Sequence, residues 1–78
     1  MMIRIFADFN CQDEQGRVML DTVGSLEDIE KHRAVLKEGM EVILYTPGDF
    51  EVRGTLTFDK IWLGIPDLST IRYENPDE

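Results

Sequence analysis

The clearest alternation of apolar and polar positions runs from Val42 to Phe58, VILYTPGDFEVRGTLTF. In its second half Phe50, Val52, Leu56 and Phe58 share one side with Gly54, while Glu51, Arg53, Thr55 and Thr57 share the other. Side chains of a strand point to opposite faces at every second residue, so this pattern predicts a strand with a dry face and a wet face. Pro47, Gly48 and Asp49 interrupt it upstream, and the β-rich run Val42 to Thr46 precedes them, which predicts a hairpin. A two-residue Pro-Gly loop would be type II, whose twist suits a tight hairpin poorly. A three-residue loop from Pro47 to Asp49 is therefore predicted, placing Val42 and Leu44 on the side of Phe50 and Val52. Gly54, in mid-strand, predicts a bend or bulge where the sheet curls.

The remaining elements follow the same logic. Ile3, Ile5, Ala7 and Phe9 alternate with Arg4, Phe6 and Asp8, so the chain opens in a strand, with Phe6 an exception on its wet side. CQDEQG, residues 11–16, is polar and ends in glycine, as a turn does. Arg17 to Val23 is β-rich with Val18, Leu20 and Thr22 in one register, and the two runs are expected to form an antiparallel hairpin. Ser25 and Asp28 are spaced as a capping box, and Leu26, Ile29, Arg33 and Leu36 recur at helical spacing. A helix is predicted from Leu26 to about His32, reaching at most Leu36, with Lys31, Arg33 and Lys37 late and Gly39 as its stop. Asp59-Lys60 is a short turn, Ile61 to Gly64 a strand, Ile65 to Leu68 a tight connection and Ser69 to Tyr73 the last strand. The organisation expected is one domain over residues 1–74 and a frayed acidic tail over 75–78.

These elements define a mainly β fold: a small, strongly bent, five- to six-stranded antiparallel barrel with one short helix between the second and third strands. The stretch from Leu36 to Tyr73 opens as L-x-x-G-x-x-V-x-L-Y and closes turn-strand-turn-strand. It resembles the small SH3-like β-barrels, through Leu36, Gly39, Val42, Leu44, Gly54, Leu56 and the closing Ile71. The resemblance covers about half the chain and implies a fold, not an activity, because unrelated functions share such barrels. The paired aromatics and acidic loop of the peptide-binding SH3 proteins do not occur in matching order, so binding of proline-rich peptides is not implied.

Composition narrows the function classes. Seventy-eight residues form one domain, and at this size roughly 60% of the unfolded surface is buried, leaving little room for an enclosed active site. Sixteen acidic against eight basic side chains give a net charge of −8. Such a surface repels phosphate backbones and anionic lipid, so neither nucleic acid nor membrane is expected as a partner. The single cysteine, Cys11, cannot form an internal disulfide, which points to a reducing, cytoplasmic setting. MMIRIFADFN lacks the apolar core of a signal peptide, and no run approaches the ~20 apolar residues of a membrane span.

Candidate chemistry is sparse. His32, the only histidine, lies between Lys31 and Arg33 and reads as a solvated helix-end residue, since a triad needs three convergent groups. Cys11 sits near Asp8, Asp13 and Glu14, whose charges raise a thiol pKa, the wrong direction for a nucleophile. Asp8, Asn10, Asp13 and Glu14 fail the calcium-loop pattern, because Gln12 falls at a ligand position and Asp13 where glycine is needed. No zinc spacing or phosphate-cradling glycine motif is present. No catalytic, cofactor-binding or metal-binding residue is assigned, and no cofactor is expected.

The aromatics are more informative. Phe9, Phe50 and Phe58 belong to the dry face, whereas Phe6, Tyr45 and Trp62 fall opposite the registers Ile3/Ile5, Val42/Leu44 and Ile61/Leu63. Such off-register rings cover an end of a small core, with the helix lying across Trp62, or form a patch for a protein partner or self-association, joined by Met19 and Ile43. The function expected is a non-catalytic protein-interaction or regulatory module. The alternatives are a ligand-binding or catalytic subunit completed by another chain, and an acidic nucleic-acid mimic that occupies a basic protein.

Overall fold

The computed structural model describes residues 2–73; the expected tail over 75–78 lies outside them. Six strands form one mainly β, curled and open half-barrel sheet with one α-helix. In chain order the elements are β1 (Arg4–Phe6), β2 (Val18–Met19), α1 (Val23–His32), β3 (Glu41–Thr46), β4 (Phe50–Asp59), β5 (Ile61–Pro66) and β6 (Arg72–Tyr73). Short 3₁₀ turns follow α1 at Arg33–Val35 and precede β6 at Leu68–Thr70. The helix lies between the second and third strands, as expected. Among the described residues no helix is long and apolar enough to cross a membrane.

The sheet runs β1-β3-β4-β5-β2, with β6 also on β4. The central hairpin has the expected register: Thr46 pairs with Phe50 around Pro47 to Asp49, and Leu44 faces Val52. Gly48 takes φ +74°, a left-handed conformation that glycine adopts without a Cβ clash. The expected hairpin forms only at its turn, where Gln12 and Val18 make an antiparallel bridge and the Met19 amide donates to the Cys11 carbonyl; β1 and β2 themselves do not pair. β1 pairs in parallel with β3, while β2 lies at the opposite edge, antiparallel to β5. The chain between β1 and β3 is long enough for the crossover that parallel pairing requires, so the sheet is mixed rather than wholly antiparallel. The last strand is also shorter than expected, because Ser69 and Thr70 belong to the 3₁₀ turn.

The inner face carries the core. Ile5, Ala7, Val18, Leu20, Ile29, Val42, Leu44, Val52 and Leu56 form one buried cluster, edged by Ile3, Phe9, Leu36, Met40, Phe50 and Trp62. Gly54 is not a bulge: the pairing of β4 with β3 and β5 is unbroken on both sides of it. A Cβ at Gly54 would stand 2.5 Å from Leu44 Cδ1, and one at Gly64 2.8 Å from the same atom. Both glycines are therefore spaces into which Leu44 packs.

The helix begins earlier than its sequence pattern indicates. Thr22, not Ser25, is the N-cap, and its Oγ1 accepts from the Ser25 amide. Ser25, one turn in, is buried and donates its hydroxyl to the carbonyl of Phe6. The helix also ends before Gly39, which instead lies at φ +82° in the turn leading to β3. Its main contact is with β1 rather than with the strand carrying Trp62. There Asp28 Oδ2 accepts from the Phe6 amide at 2.8 Å. Ser25 and Asp28 thus satisfy backbone groups on the free side of an edge strand, which would otherwise template pairing with another chain.

Candidate interaction site

Three aromatic pairs are direct cross-strand partners among the described residues: Phe50 of β4 faces Tyr73 of β6 at 6.1 Å, and in each of the other two a carboxylate holds one ring's backbone amide. Phe6 of β1 faces Tyr45 of β3, with ring centroids 6.1 Å apart and planes at 87°. Phe58 of β4 faces Trp62 of β5, at 5.2 Å and 69°. Of the three residues singled out from the sequence, Phe6 and Tyr45 are brought together and Trp62 lies elsewhere.

Phe6 and Tyr45 lie on the outer face, opposite buried Ile5 and Leu44, as their registers predict. The helix covers Phe6: a Cβ at Gly24 would be 2.8 Å from Phe6 Cδ2, so glycine permits the close approach. The Tyr45 hydroxyl donates to Asp28 Oδ2 at 2.8 Å, and the Arg4 guanidinium carbon lies 4.6 Å from the Tyr45 ring centroid. The hydrogen bond to Asp28, followed by burial, pushes the phenol above its ordinary pKa. The ring is thereby held as a structural donor. Arg4 also bonds Glu51 at 2.5 Å. Beside this pair, Arg4, Asp28, Lys31, His32 and Tyr45 line a shallow open cleft of about 460 Å³.

Trp62 has the opposite facing from that expected. Its partner Phe58 shares the register of Leu56, and Leu56 faces Gly64, so Trp62 and Gly64 belong to the inner face. Ile61, Leu63 and Ile65 share the outer register with Asp59, Thr57 and Thr55, and Leu63 is buried on that side. The apolar residues of this strand alternate with a glycine and a tryptophan, so periodicity alone does not identify its dry face; pairing with β4 does. Trp62 packs against the edge of the core. Phe58, expected to be dry, is 54% exposed, because it lies beyond Leu56 near the end of the hairpin where the core stops.

The backbone beneath Phe58 is fixed by a residue that sequence reasoning passed over. Glu38 accepts from the Phe58 amide through Oε1 at 2.8 Å and from the Thr57 hydroxyl through Oε2 at 2.7 Å. Those bonds, the amide first, hold its carboxyl below the ordinary value of 4.5. Glu38 lies 19 and 20 residues from its partners, and nothing local marked it. The turn after Asp59 is equally defined, with Lys60 at φ +69°. The tip therefore offers a half-exposed phenyl ring, braced edge-on by an indole, on a pinned backbone. Such a group can anchor apolar contact.

The other candidates have local partners. Burial and then the neighbouring Asp8 push the Cys11 thiol up, in the direction expected, with Sγ 3.7 Å from Asp8 Oδ2. Asp13 accepts from the Gln15 and Arg17 amides and from Arg17 Nε at 2.6 Å. Desolvation pushes its carboxyl upward, but these donors together hold it below 3.8. Met19 and Ile43 are half-buried on the outer face, away from Trp62. No family model matches this chain, and neither a curated protein nor a solved structure matches it.

Proposed function

We propose that this protein is a non-catalytic interaction module, an SH3-like barrel in its finer classification, that binds a protein partner through the Phe58–Trp62 pair. One observation carries the reading: Phe58 is half in water although a core-packed tryptophan and a carboxylate-pinned amide hold it in place. A large apolar side chain fixed in this way loses little entropy on association, which is the property of an interface anchor. The single cysteine, which has no second cysteine in the chain to pair with, supports action in a reducing, cytoplasmic compartment. The test is stoichiometric capture of a partner, or self-association in sedimentation, by the wild type and by Phe58→Ala. Folded Phe58→Ala that retains full binding removes the reading.

A second reading, a ligand-binding subunit completed by another chain, draws on the cleft that brings Arg4, Asp28, Lys31, His32 and Tyr45 together. There the variant to test is His32→Ala, with stability unchanged and ligand uptake by the assembled complex lost.

A further inference from the structure

The five arginines divide into two groups. Arg4 is paired with Glu51, Arg17 with Asp13 and Arg33 with Glu30. Arg53 and Arg72 have no carboxylate within ion-pair distance among the described residues, in a chain with twice as many acids as bases. Both line the same outer-face groove of about 470 Å³, with Met2, Ile43, Glu51 and Thr70. Glu51 is already taken by Arg4, and the Thr70 hydroxyl by the Arg53 amide and the Asp67 carbonyl. Neither nearby acid forms an ion pair with them: Glu41 is a diagonal neighbour of Arg53, and Asp67, which accepts from Ser69, feels the Arg53 charge only from beyond ion-pair distance.

The geometry points to this groove as a docking site for an extended acidic segment of a protein partner, with carboxylates at alternate positions. Arg72 faces Glu51 across β4 and β6, so Arg53, two residues along, is its diagonal neighbour at roughly 7–8 Å. Alternate residues of an extended chain lie about 6.6 Å apart on one side. Two carboxylates at i and i+2 therefore match the two guanidinium groups, each suited to a bidentate pair. An apolar side chain at a flanking position of the segment meets Ile43 and Met2. A long polyphosphate strand is disfavoured, because it would extend over the rest of a surface carrying −8. The site is on the face opposite Phe58 and Trp62, and is independent of that pair.

The probe is a fluorescein-labelled octapeptide with glutamates at alternate positions, titrated by anisotropy at low salt against its glutamine counterpart and a DNA dodecamer. Wild type binds the glutamate peptide, and affinity falls by about tenfold or more in Arg53→Gln/Arg72→Gln and again as salt is raised. Both arginines are exposed, so the variant keeps the wild-type melting curve; Arg53→Gln and Arg72→Gln alone give intermediate losses. Equal binding of the glutamine peptide, unchanged binding by the double variant, or DNA bound as tightly overturns the proposal. A full chain in which Glu74, Asp77 and Glu78 are made amides completes the test. If only that form binds the peptide, the occupant is the chain's own acidic terminus and the partner is excluded.

Discussion

The Phe6–Tyr45 and Phe58–Trp62 pairs are built by the same device and end in opposite states. In each, an aromatic residue's amide and a neighbouring hydroxyl donate to one carboxylate from outside the sheet's paired strands. Asp28 receives Phe6 and Tyr45; Glu38 receives Phe58 and Thr57. What differs is cover. Asp28 belongs to a helix that brings Gly24 onto the Phe6 ring, and its side chain is only 14% exposed. Glu38 belongs to the exposed connection after the 3₁₀ turn, which brings no cover, so Phe58 remains half in water. Pairing of rings across strands therefore does not decide whether a ring meets water; the presence or absence of cover does.

The comparison breaks first at the rings. Phe6→Ala empties a site closed by the helix and should cost about 3 kcal/mol in denaturant melts, the low end for a large aromatic because the ring is only half-buried. Phe58→Ala should cost less than about 1 kcal/mol, since water already reaches the site. Equal losses would mean that the tip is part of the core and not a presented surface. Asp28→Ala comes next. It leaves the Phe6 amide and the Tyr45 hydroxyl without their partner, at an expected cost of about 1–3 kcal/mol. A loss near zero would show that water replaces the carboxylate at both donors and that the helix is held by Ile29 and Ser25 alone.

Legibility in the sequence follows the same division. The β3–β4 hairpin was readable because strict alternation, a turn tripeptide and loop-length rules all act locally, and its register and inner face are those predicted. The strand partners of β1 and β2 were not, because the choice between a hairpin and a parallel crossover depends on contacts more than 30 residues away. The helix start is displaced from its sequence pattern by competition between two hydroxyl residues three positions apart. Thr22 wins the cap, and Ser25 is recruited to an edge carbonyl that only the fold creates. Phe6 and Tyr45 were recognised as out of step with the core, correctly, since β-strand periodicity reports facing directly. Trp62 was assigned to the wrong face because Ile61, Leu63 and Ile65 outnumber it, although the vacancy at Gly64 for Leu44 decides the matter. Asp28 and Glu38 could not be found at all: in a chain with sixteen acids, nothing local distinguishes the two that pin backbone amides.

The smallest expected effect tests the open pair through pH. The Glu38 carboxyl is held below 4.5 first by the Phe58 amide and then by the Thr57 hydroxyl. A carboxyl whose folded pKa is depressed contributes stability that is present above its unfolded value and is lost as pH falls through the folded one. Wild type should therefore be more stable than Glu38→Gln at neutral pH, and the gap between their melting temperatures should close as pH falls below 4.5. Asp13 and Asp67 are also held low and add to the acid loss of both proteins, so the difference, not either curve alone, isolates Glu38. Glutamine can still accept one of the two hydrogen bonds, which keeps the gap small. The Phe58 amide proton provides the local readout: its chemical shift in wild type should titrate with Glu38 below 4.5, and that step should vanish in Glu38→Gln. A gap that does not change with pH would mean that the carboxylate charge plays no part at the tip. The rigidity of Phe58 would then come from Trp62 alone, and the contrast with the helix-covered pair would rest on burial without the shared carboxylate device.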